Sequence, residues 1–166
     1  MNLPRLKIRN IKVSVFLSED LKSFHPQISE YQDYVFTIYP YSKRLINVTK
    51  LKSVDQLKNI SNVIKVRYNV SVVKVKIDSI MLSRKVKGKM FSFQKTLLRI
   101  SNQDFKIDND RELFHAPWVK SKYGSFNLFS CGSVTCMGVK CLEDIKMIEI
   151  FLDKIYCKEN VIKEFT

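Results

Sequence analysis

Residues of the types that most often carry out catalysis or bind metals are few in this chain, and they are poorly placed for either. The histidines are His25 and His115, each within two residues of a proline in a predicted loop and neither in a nucleophile context with a cysteine or serine. The four cysteines lie at positions 131, 136, 141 and 157, and these spacings miss the C-x-x-C pattern typical of zinc sites. Phosphate-binding loops and H-E-x-x-H pairs do not occur. We therefore predict a non-enzymatic protein with reduced cysteines, no cofactor and no metal.

The charge balance points to a polyanionic partner instead. The chain has 166 residues and a net charge of +13, from 29 basic and 16 acidic residues. Such an excess favours nucleic acid or an acidic membrane surface, although a bias of 22 lysines to 7 arginines also suits an AT-rich genome. No apolar stretch approaches a membrane span, and the N-terminus lacks the apolar core of a signal peptide. We expect an intracellular protein that does not act at a membrane.

Two pairs of segments repeat along the chain in the same order. The segment beginning at Lys7 resembles the one beginning at Lys76, an offset of 69 residues. The segment beginning at Leu51 resembles the one beginning at Val139, an offset of 88 residues. The second copy therefore has about 19 additional residues between its two segments. The ordered matches predict an internal duplication.

The shortened first repeat covers residues 1–70 and the second repeat covers residues 71–166, and together they form one domain. Runs rich in β-branched and aromatic residues predict strands, and the helical spacing after Ser53, with Gln56 three residues later, predicts a capped helix. The predicted strands are residues 6–17, 34–39, 45–49, 69–82, 125–129 and 134–137, and the predicted helices are residues 53–64, 91–101 and 142–156.

Two copies of a strand-strand-strand-helix unit are expected to pair into one continuous antiparallel sheet. The helices then cover one face of the sheet and leave the other face exposed. On a basic protein, an exposed sheet face is a candidate binding surface.

The C-terminal part of the chain resembles a known family. Residues 111–140 contain Arg-Glu-Leu-Phe-His-Ala-Pro-Trp and then the hairpin Phe-Asn-Leu-Phe-Ser-Cys-Gly-Ser-Val-Thr-Cys-Met-Gly-Val-Lys. This resembles the second repeat of the TATA-box-binding protein family, with its Pro-Glu-Leu-Phe-Pro segment and its hairpin Ile-Phe-x-Ser-Gly-Lys-x-x-x-Thr-Gly-Ala-Lys. Arg9-Asn10-Ile11 similarly resembles the Gln-Asn-Ile of the first repeat. The resemblance spans nearly the whole chain but is specific over about 30 residues near the C-terminus.

This resemblance implies an α+β fold: a pseudo-two-fold saddle of a curved antiparallel sheet, built from two strand–helix repeats with the helices on the convex face. It also implies wedge residues, because each repeat of the family inserts two phenylalanines between base pairs of the bent site. Phe114 and Phe129 match both positions of the second repeat. Aligning Lys52 with the terminal lysine of the family motif puts Tyr41 at the hairpin position of the first repeat and Tyr39 two residues before it. Kinking is therefore expected to be sharper at the end of the site contacted by the second repeat.

The resemblance implies further DNA contacts. The central asparagine of each repeat corresponds to Asn10 and to Ser79. A lysine and a methionine, Lys12 and Met81, replace valines on the concave surface, which argues against a strict TATA preference. The remaining implied contacts are strand residues that meet bases and sugars and hairpin cations that meet phosphates, namely Asn47, Thr49, Thr135, Met137, Lys120, Lys122, Lys43 and Arg44.

Three functions follow as hypotheses. The first is a divergent TATA-box-binding-protein-like initiation factor that bends AT-rich promoter DNA through the minor groove and recruits a B-type transcription initiation factor and DNA-dependent RNA polymerase. The second is an architectural module of a transcription complex, with the saddle fold but without sequence-specific bending. The third is a saddle domain that binds an RNA-containing duplex. A large DNA virus is an expected source, which would place the protein at a cytoplasmic replication site or in the virion; a cellular protein would be nuclear.

Overall fold

The computed structural model describes residues 4–22, 25–85, 105–108, 118–129 and 131–164. Over these residues it has nine strands and two helices. They are β1 Lys7–Leu17, β2 Ile28–Tyr31, β3 Tyr34–Ile38, β4 Leu45–Leu51, α1 Val54–Tyr68, β5 Val72–Arg84, β6 Phe105–Asp108, β7 Trp118–Ser121, β8 Gly124–Leu128, β9 Val134–Val139 and α2 Leu142–Glu164.

The chain divides into two compact units. The N-terminal unit runs from Ile8 to Ile80, and the C-terminal unit contains the rest of the described chain. Strand order in the N-terminal unit is β2-β3-β4-β1-β5, and in the C-terminal unit it is β5-β9-β8-β7-β6. The boundary falls within β5, ten residues beyond the predicted repeat boundary at residue 70. The division into two sequence repeats stays a prediction.

The core of the N-terminal unit lies between its sheet and α1. Alternate residues of β1, beginning with Ile11 and Val13, are fully buried, as are Ile46 and Val48 of β4. Phe36 of β3 is on the same face, and its ring lies 5.9 Å from that of Tyr68 at the end of α1. This period-two burial, set against buried residues of α1 at helical spacing, is the pattern of an amphipathic helix packed on one face of a sheet.

Both ends of α1 are fixed by local hydrogen bonds. The Ser53 hydroxyl accepts from the backbone N–H of Gln56 at 3.1 Å, and the Gln56 side chain accepts from the N–H of Lys52 at 2.6 Å. The predicted helix start is therefore confirmed. At the other end, Asn69 takes the left-handed conformation with φ of 53° and donates its N–H to the carbonyl of Lys65. This cap delays the next strand, so β5 begins at Val72 and the predicted strand start at residue 69 is wrong.

Aromatic packing dominates the core of the C-terminal unit. Phe151 of α2 stacks on Phe105 of β6 with 3.7 Å between ring centroids, and it meets the buried ring of Phe126 at 5.7 Å. Gly124 is required at the start of β8, because its φ is +145° and an added Cβ would lie 2.9 Å from Cγ2 of Val139. These contacts fix β8, which leads directly into the hairpin turn at Phe129.

Most predicted elements are present, and their limits differ for local reasons. The hairpin of β8 and β9 is antiparallel as predicted, and the final helix begins at Leu142 but continues to Glu164, past the predicted end at residue 156. The short strands β2, β6 and β7 were not predicted. The predicted helix over residues 91–101 lies outside the described residues. Neither described helix has a stretch apolar enough and long enough to span a bilayer.

Candidate nucleic-acid interface

The face of the N-terminal sheet opposite to α1 brings together the predicted strand contacts of the first repeat. Burial alternates along β1 and β4, so the residues between the buried ones are half-exposed or exposed on the other side. We call this the N-terminal open face, and it comprises Asn10, Lys12, Ser14, Phe16, Thr37, Asn47 and Thr49. Four predicted residues (Asn10, Lys12, Asn47 and Thr49) are among them.

The C-terminal unit has an open face of the same kind. Thr135 and Met137 alternate with the buried Val134 and Cys136 of β9, and the Met137 side chain is 40% exposed. Met81 of β5 is 39% exposed. The C-terminal open face comprises Met81, Trp118, Lys120, Ser125, Asn127, Thr135 and Met137. Ser79, in the part of β5 that belongs to the N-terminal unit, is half-exposed.

A chain of polar contacts crosses the N-terminal open face. The Ser14 hydroxyl lies 2.7 Å from a carboxylate oxygen of Asp78 and 3.0 Å from the Asn47 side-chain oxygen. The Asn47 amide nitrogen donates to the Tyr39 hydroxyl at 3.2 Å. The single hydroxyl hydrogen of Ser14 can be donated to only one of these oxygens, and the nearer one belongs to Asp78. Two hydrogen bonds, from Ser14 to Asp78 and from Asn47 to Tyr39, therefore fix side chains on this face.

Asn10 is fixed by a bulge in the neighbouring strand. The register of β1 and β4 shifts between Ile11 and Val13, and opposite this point Lys50 has a φ of +70°. The N–H of Lys50 donates to the side-chain oxygen of Asn10 at 2.8 Å. Because this oxygen is occupied, the amide hydrogens of Asn10 are the groups that it can offer to a ligand.

Phe129 is the first residue after β8 and begins the hairpin turn. Its carbonyl accepts from the N–H of Gly132 at 2.7 Å, and its own N–H donates to Ser133 at 3.0 Å. The side chain is 40% exposed. It continues the alternation of Ser125 and Asn127, which places it on the same side as the C-terminal open face.

The corresponding turn of the N-terminal unit begins at Tyr39, the first residue after β3. Its carbonyl accepts from the N–H of Ser42 at 3.0 Å. Tyr39, and not Tyr41, therefore stands where Phe129 stands, which corrects the sequence alignment. The reason is that residues 39–45 separate the last paired residues of β3 and β4, whereas only residues 129–133 separate those of β8 and β9. Tyr41 is 88% exposed, and its ring stacks on that of Tyr39 at 5.9 Å.

The predicted phosphate contacts differ in their surroundings. Arg44 pairs with Asp20 at 2.6 Å, and both side chains are more than half exposed. Lys43 is exposed and contributes to the wall of a cavity of about 560 Å³ beside the hairpin. Lys120 lies on the C-terminal open face, and the ammonium nitrogen of Lys122 lies 5.0 Å from the centroid of the Tyr123 ring. Phe114 lies outside the described residues.

Sequence reasoning missed several residues of the two open faces. Ser14, Phe16 and Asp78 surround the predicted contacts of the first repeat, and Phe16 is 39% exposed. Trp118 pairs with Asn127 in the register of β7 and β8. The alternation of β1 is visible in the sequence and could have identified Ser14 and Phe16. The location of Asp78 at the N-terminal open face could not be recognised from the sequence, because it is shown only by the contact with Ser14.

Three cysteines have described side chains, and their environments differ. Burial raises the pKa of the Cys136 thiol to about 12. Hydrogen bonds with Ser133 lower the pKa of the exposed Cys131 thiol. Cys141 is half-buried directly before α2, and all three thiols are free. In the part of the chain that the structure describes, no group of three or more His, Cys, Asp or Glu side chains could hold a metal ion.

The fold is similar to that of a solved structure, although the two sequences differ at most positions. Methanococcus jannaschii TBP superimposes with a TM-score of 0.64 and 17% sequence identity, covering 92% of this chain and 99% of that chain. The chain therefore has the α+β saddle fold with an antiparallel sheet, and the predicted fold class is confirmed. The structure of A. aeolicus tRNASec in complex with M. kandleri SerRS matches at a TM-score of 0.43 and 11% identity, covering 92% of this chain and 30% of that chain, which is too low to support an argument. No family model and no curated protein sequence matches.

Proposed function

We propose that this protein is a divergent TATA-box-binding-protein-like factor that binds AT-rich promoter DNA in the minor groove and bends it. The observation that carries the proposal is a partly exposed aromatic ring at the turn of a hairpin in each unit, Tyr39 and Phe129, on the side of the open face. A planar apolar side chain on a rigid strand end is the kind of group that separates stacked base pairs. The saddle fold, shared with M. jannaschii TBP, supports the same reading.

The charge of the chain suits this role. A net charge of +13 supplies the attraction to phosphates that dominates affinity for duplex DNA. Residues of the open faces then decide which sequence is preferred. The amide hydrogens of Asn10 match the acceptors that A·T pairs present in the minor groove.

The two ends of the site are not equivalent. The C-terminal unit offers Phe129, with Phe114 as the second wedge implied by the family motif, whereas the N-terminal unit offers Tyr39, whose hydroxyl is bonded to Asn47. We therefore assign the sharper kink to the end of the site that meets the C-terminal unit. In this role the protein presents its helices and C-terminal hairpin to a B-type initiation factor and RNA polymerase, wherever the genome that encodes it is transcribed.

Comparing duplexes of different composition tests the proposal. The wild-type protein is titrated with AT-rich and GC-rich duplexes of equal length at two salt concentrations, with fluorescence anisotropy as the readout. Stronger binding to the AT-rich duplex at both salt concentrations is expected. Equal affinity for all duplexes with a steep salt dependence would contradict it and favour an architectural module that binds nucleic acid without specificity. An RNA–DNA hybrid included in the series distinguishes the third hypothesis.

A further inference from the structure

The N-terminal open face carries a fixed hydrogen-bond donor at Asn10, and the Asp78 carboxylate, a hydrogen-bond acceptor, contacts the same face at Ser14. Asn10 offers amide hydrogens, because its side-chain oxygen already accepts from the N–H of Lys50. Asp78 offers carboxylate oxygens. An ionised carboxylate has hydrogen-bond acceptors and no donor. The two groups therefore favour different partners on the edges of base pairs.

The carboxylate of Asp78 is held in position. One of its oxygens accepts from the Ser14 hydroxyl at 2.7 Å. Ile77, Asp78 and Ser79 are all half-exposed, and strict burial alternation in β5 begins only at Ile80. Because the Asp78 carboxylate contacts Ser14, it lies on the side of the N-terminal open face.

Within the described ranges, this carboxylate is not part of an ion pair. The ion pairs there join Lys22 to Glu19, Arg44 to Asp20, Lys50 to Glu30 and Arg84 to Asp153. An unpaired carboxylate on a DNA-binding face repels phosphates and also repels the base acceptors of A·T pairs. A hydrogen-bond donor in the groove is the kind of group that would offset this repulsion.

The minor groove offers one such donor among the standard base pairs. A·T and T·A pairs present only acceptors there, whereas a G·C pair adds the N2 amino group of guanine. We propose, on the basis of the proposed function, that Asp78 is a specificity-determining residue that accepts a hydrogen bond from a guanine amino group. The half of the binding site that faces the N-terminal unit then contains one G·C pair in an otherwise A·T-rich sequence.

Base analogues test this assignment without changing the major-groove edge. Each adenine of an AT-rich duplex is replaced in turn by 2,6-diaminopurine, which adds a minor-groove amino group to the A·T pair. At one position, the wild-type protein is expected to bind the substituted duplex about 10-fold more tightly than the parent duplex. In a duplex with guanine at that position, inosine, which lacks the amino group, is expected to remove the gain.

Variants separate the carboxylate from other effects of the analogue on the duplex. In Asp78→Ala the gain is expected to disappear while binding to the parent duplex is retained or improved. Asp78→Asn keeps the size of the side chain and is expected to reduce the gain, since a neutral amide is a weaker acceptor. Asp55→Ala is the matched control: Asp55 is exposed in the first turn of α1, the change in charge is the same, and the gain is expected to persist.

The parent duplex distinguishes the two proposals. If the wild-type protein binds it with a preference for A·T but no analogue strengthens binding, the assignment of Asp78 is overturned and the proposed function stands. Persistence of the gain in Asp78→Ala, with the variant folded by thermal melting, also overturns it. Failure of the wild-type protein to bind any duplex overturns both.

Discussion

Tyr39 and Phe129 occupy equivalent positions in two hairpins, although the residues around them differ. Each is the first residue after a strand, and each carbonyl accepts a hydrogen bond from the N–H three residues later, at 3.0 Å and 2.7 Å. The strand residues before them correspond as well, since Phe36 and Phe126 are both fully buried three residues earlier. Each unit therefore sets an aromatic ring at the end of a strand that is anchored in its core.

Removal of the Phe129 ring is expected to weaken DNA binding with little effect on the fold. The ring is 40% exposed, so Phe129→Ala leaves the buried core intact. Loss of one ring that stacks against bases is expected to reduce affinity for the AT-rich duplex by about 10-fold or more. Fluorescence anisotropy measures the affinity, and thermal melting checks the fold.

Met147→Ala provides the matched control for this change. Met147 is 42% exposed on α2, so a similar amount of exposed apolar surface is removed away from both open faces. Its DNA affinity is expected to equal that of the wild-type protein. Equal losses in the two variants would argue against a specific role of Phe129.

The position of Tyr39 at the turn of the N-terminal hairpin predicts unequal effects at two neighbouring tyrosines. Tyr39→Ala is expected to weaken binding to the AT-rich duplex by about 10-fold, because it removes the ring that corresponds to Phe129. Tyr41→Ala is expected to have a smaller effect, and Tyr39→Phe, which keeps the ring and loses only the bond to Asn47, should retain affinity within about twofold of wild type. A larger loss for Tyr41→Ala than for Tyr39→Ala, measured by the same titration, would restore the alignment made from sequence.

The strands that follow the two hairpin turns can be aligned from the sequence, but the turns themselves cannot. Alignment on Lys52 and Lys140 is correct for the strands that follow the turns, because Val48 and Cys136 are both buried at the same offset of 88 residues. The two additional turn residues of the first hairpin change the offset before the turn to 90. A turn length is set by hydrogen bonds such as that of Ser42 to Tyr39, and these are not visible in residue types.

The predicted phosphate contacts should differ in their salt dependence. Lys43 is exposed at the hairpin of the N-terminal unit. The plot of log affinity against log salt concentration has a negative slope, and Lys43→Ala is expected to reduce the magnitude of this slope by about 0.9. Lys65→Ala, at an exposed position of α1, should leave the slope unchanged. Titrations at four salt concentrations measure both slopes. Equal slopes for Lys43→Ala and the wild-type protein would show that Lys43 does not contact phosphate.

Burial of Cys136 predicts a loss of stability at alkaline pH. Its pKa is raised from 9.0 to about 12 in the folded protein, so the folded state holds the thiol proton more tightly than the unfolded state does. The contribution to stability is complete below about pH 9 and decreases as the pH rises from there toward 12. Urea midpoints between pH 7 and 10.5 should fall more steeply for the wild-type protein than for Cys136→Ala. If the urea midpoints of the two proteins fall in parallel with pH, the thiol of Cys136 is not held protonated by burial.

The start of α2 offers a stabilising substitution. Cys141 precedes Leu142, the first residue of α2, as Ser53 precedes Val54 in α1. Oxygen accepts hydrogen bonds from backbone N–H groups more strongly than sulfur does, so Cys141→Ser is expected to raise the free energy of unfolding by about 0.5–1 kcal/mol. Ser53→Ala should lower it by about 1 kcal/mol. Urea denaturation measures both. An unchanged stability of Cys141→Ser would show that the sulfur already caps the helix as well as oxygen does, and a lower stability would contradict the expected gain.

The fold was more accessible from sequence than the arrangement of side chains on the two open faces. The alternating Ile and Val residues of β1 and the Ser53–Gln56 pair of α1 are local signals, and the structure confirms them. The short strands β2, β6 and β7 have four residues each, too few for a period to be recognised. The acceptor on the N-terminal open face depends on Ser14 and Asp78, which are 64 residues apart, and only the tertiary structure joins them.

The proposed function depends on the bending of duplex DNA, and the end-to-end distance of a bound duplex measures this bending. Energy transfer between dyes at the two ends of an AT-rich duplex should increase when the wild-type protein binds. The increase should be smaller for Phe129→Ala at saturating concentration, because that ring helps to open a base step. Saturated binding of the wild-type protein without a change in energy transfer would show that the protein does not bend DNA.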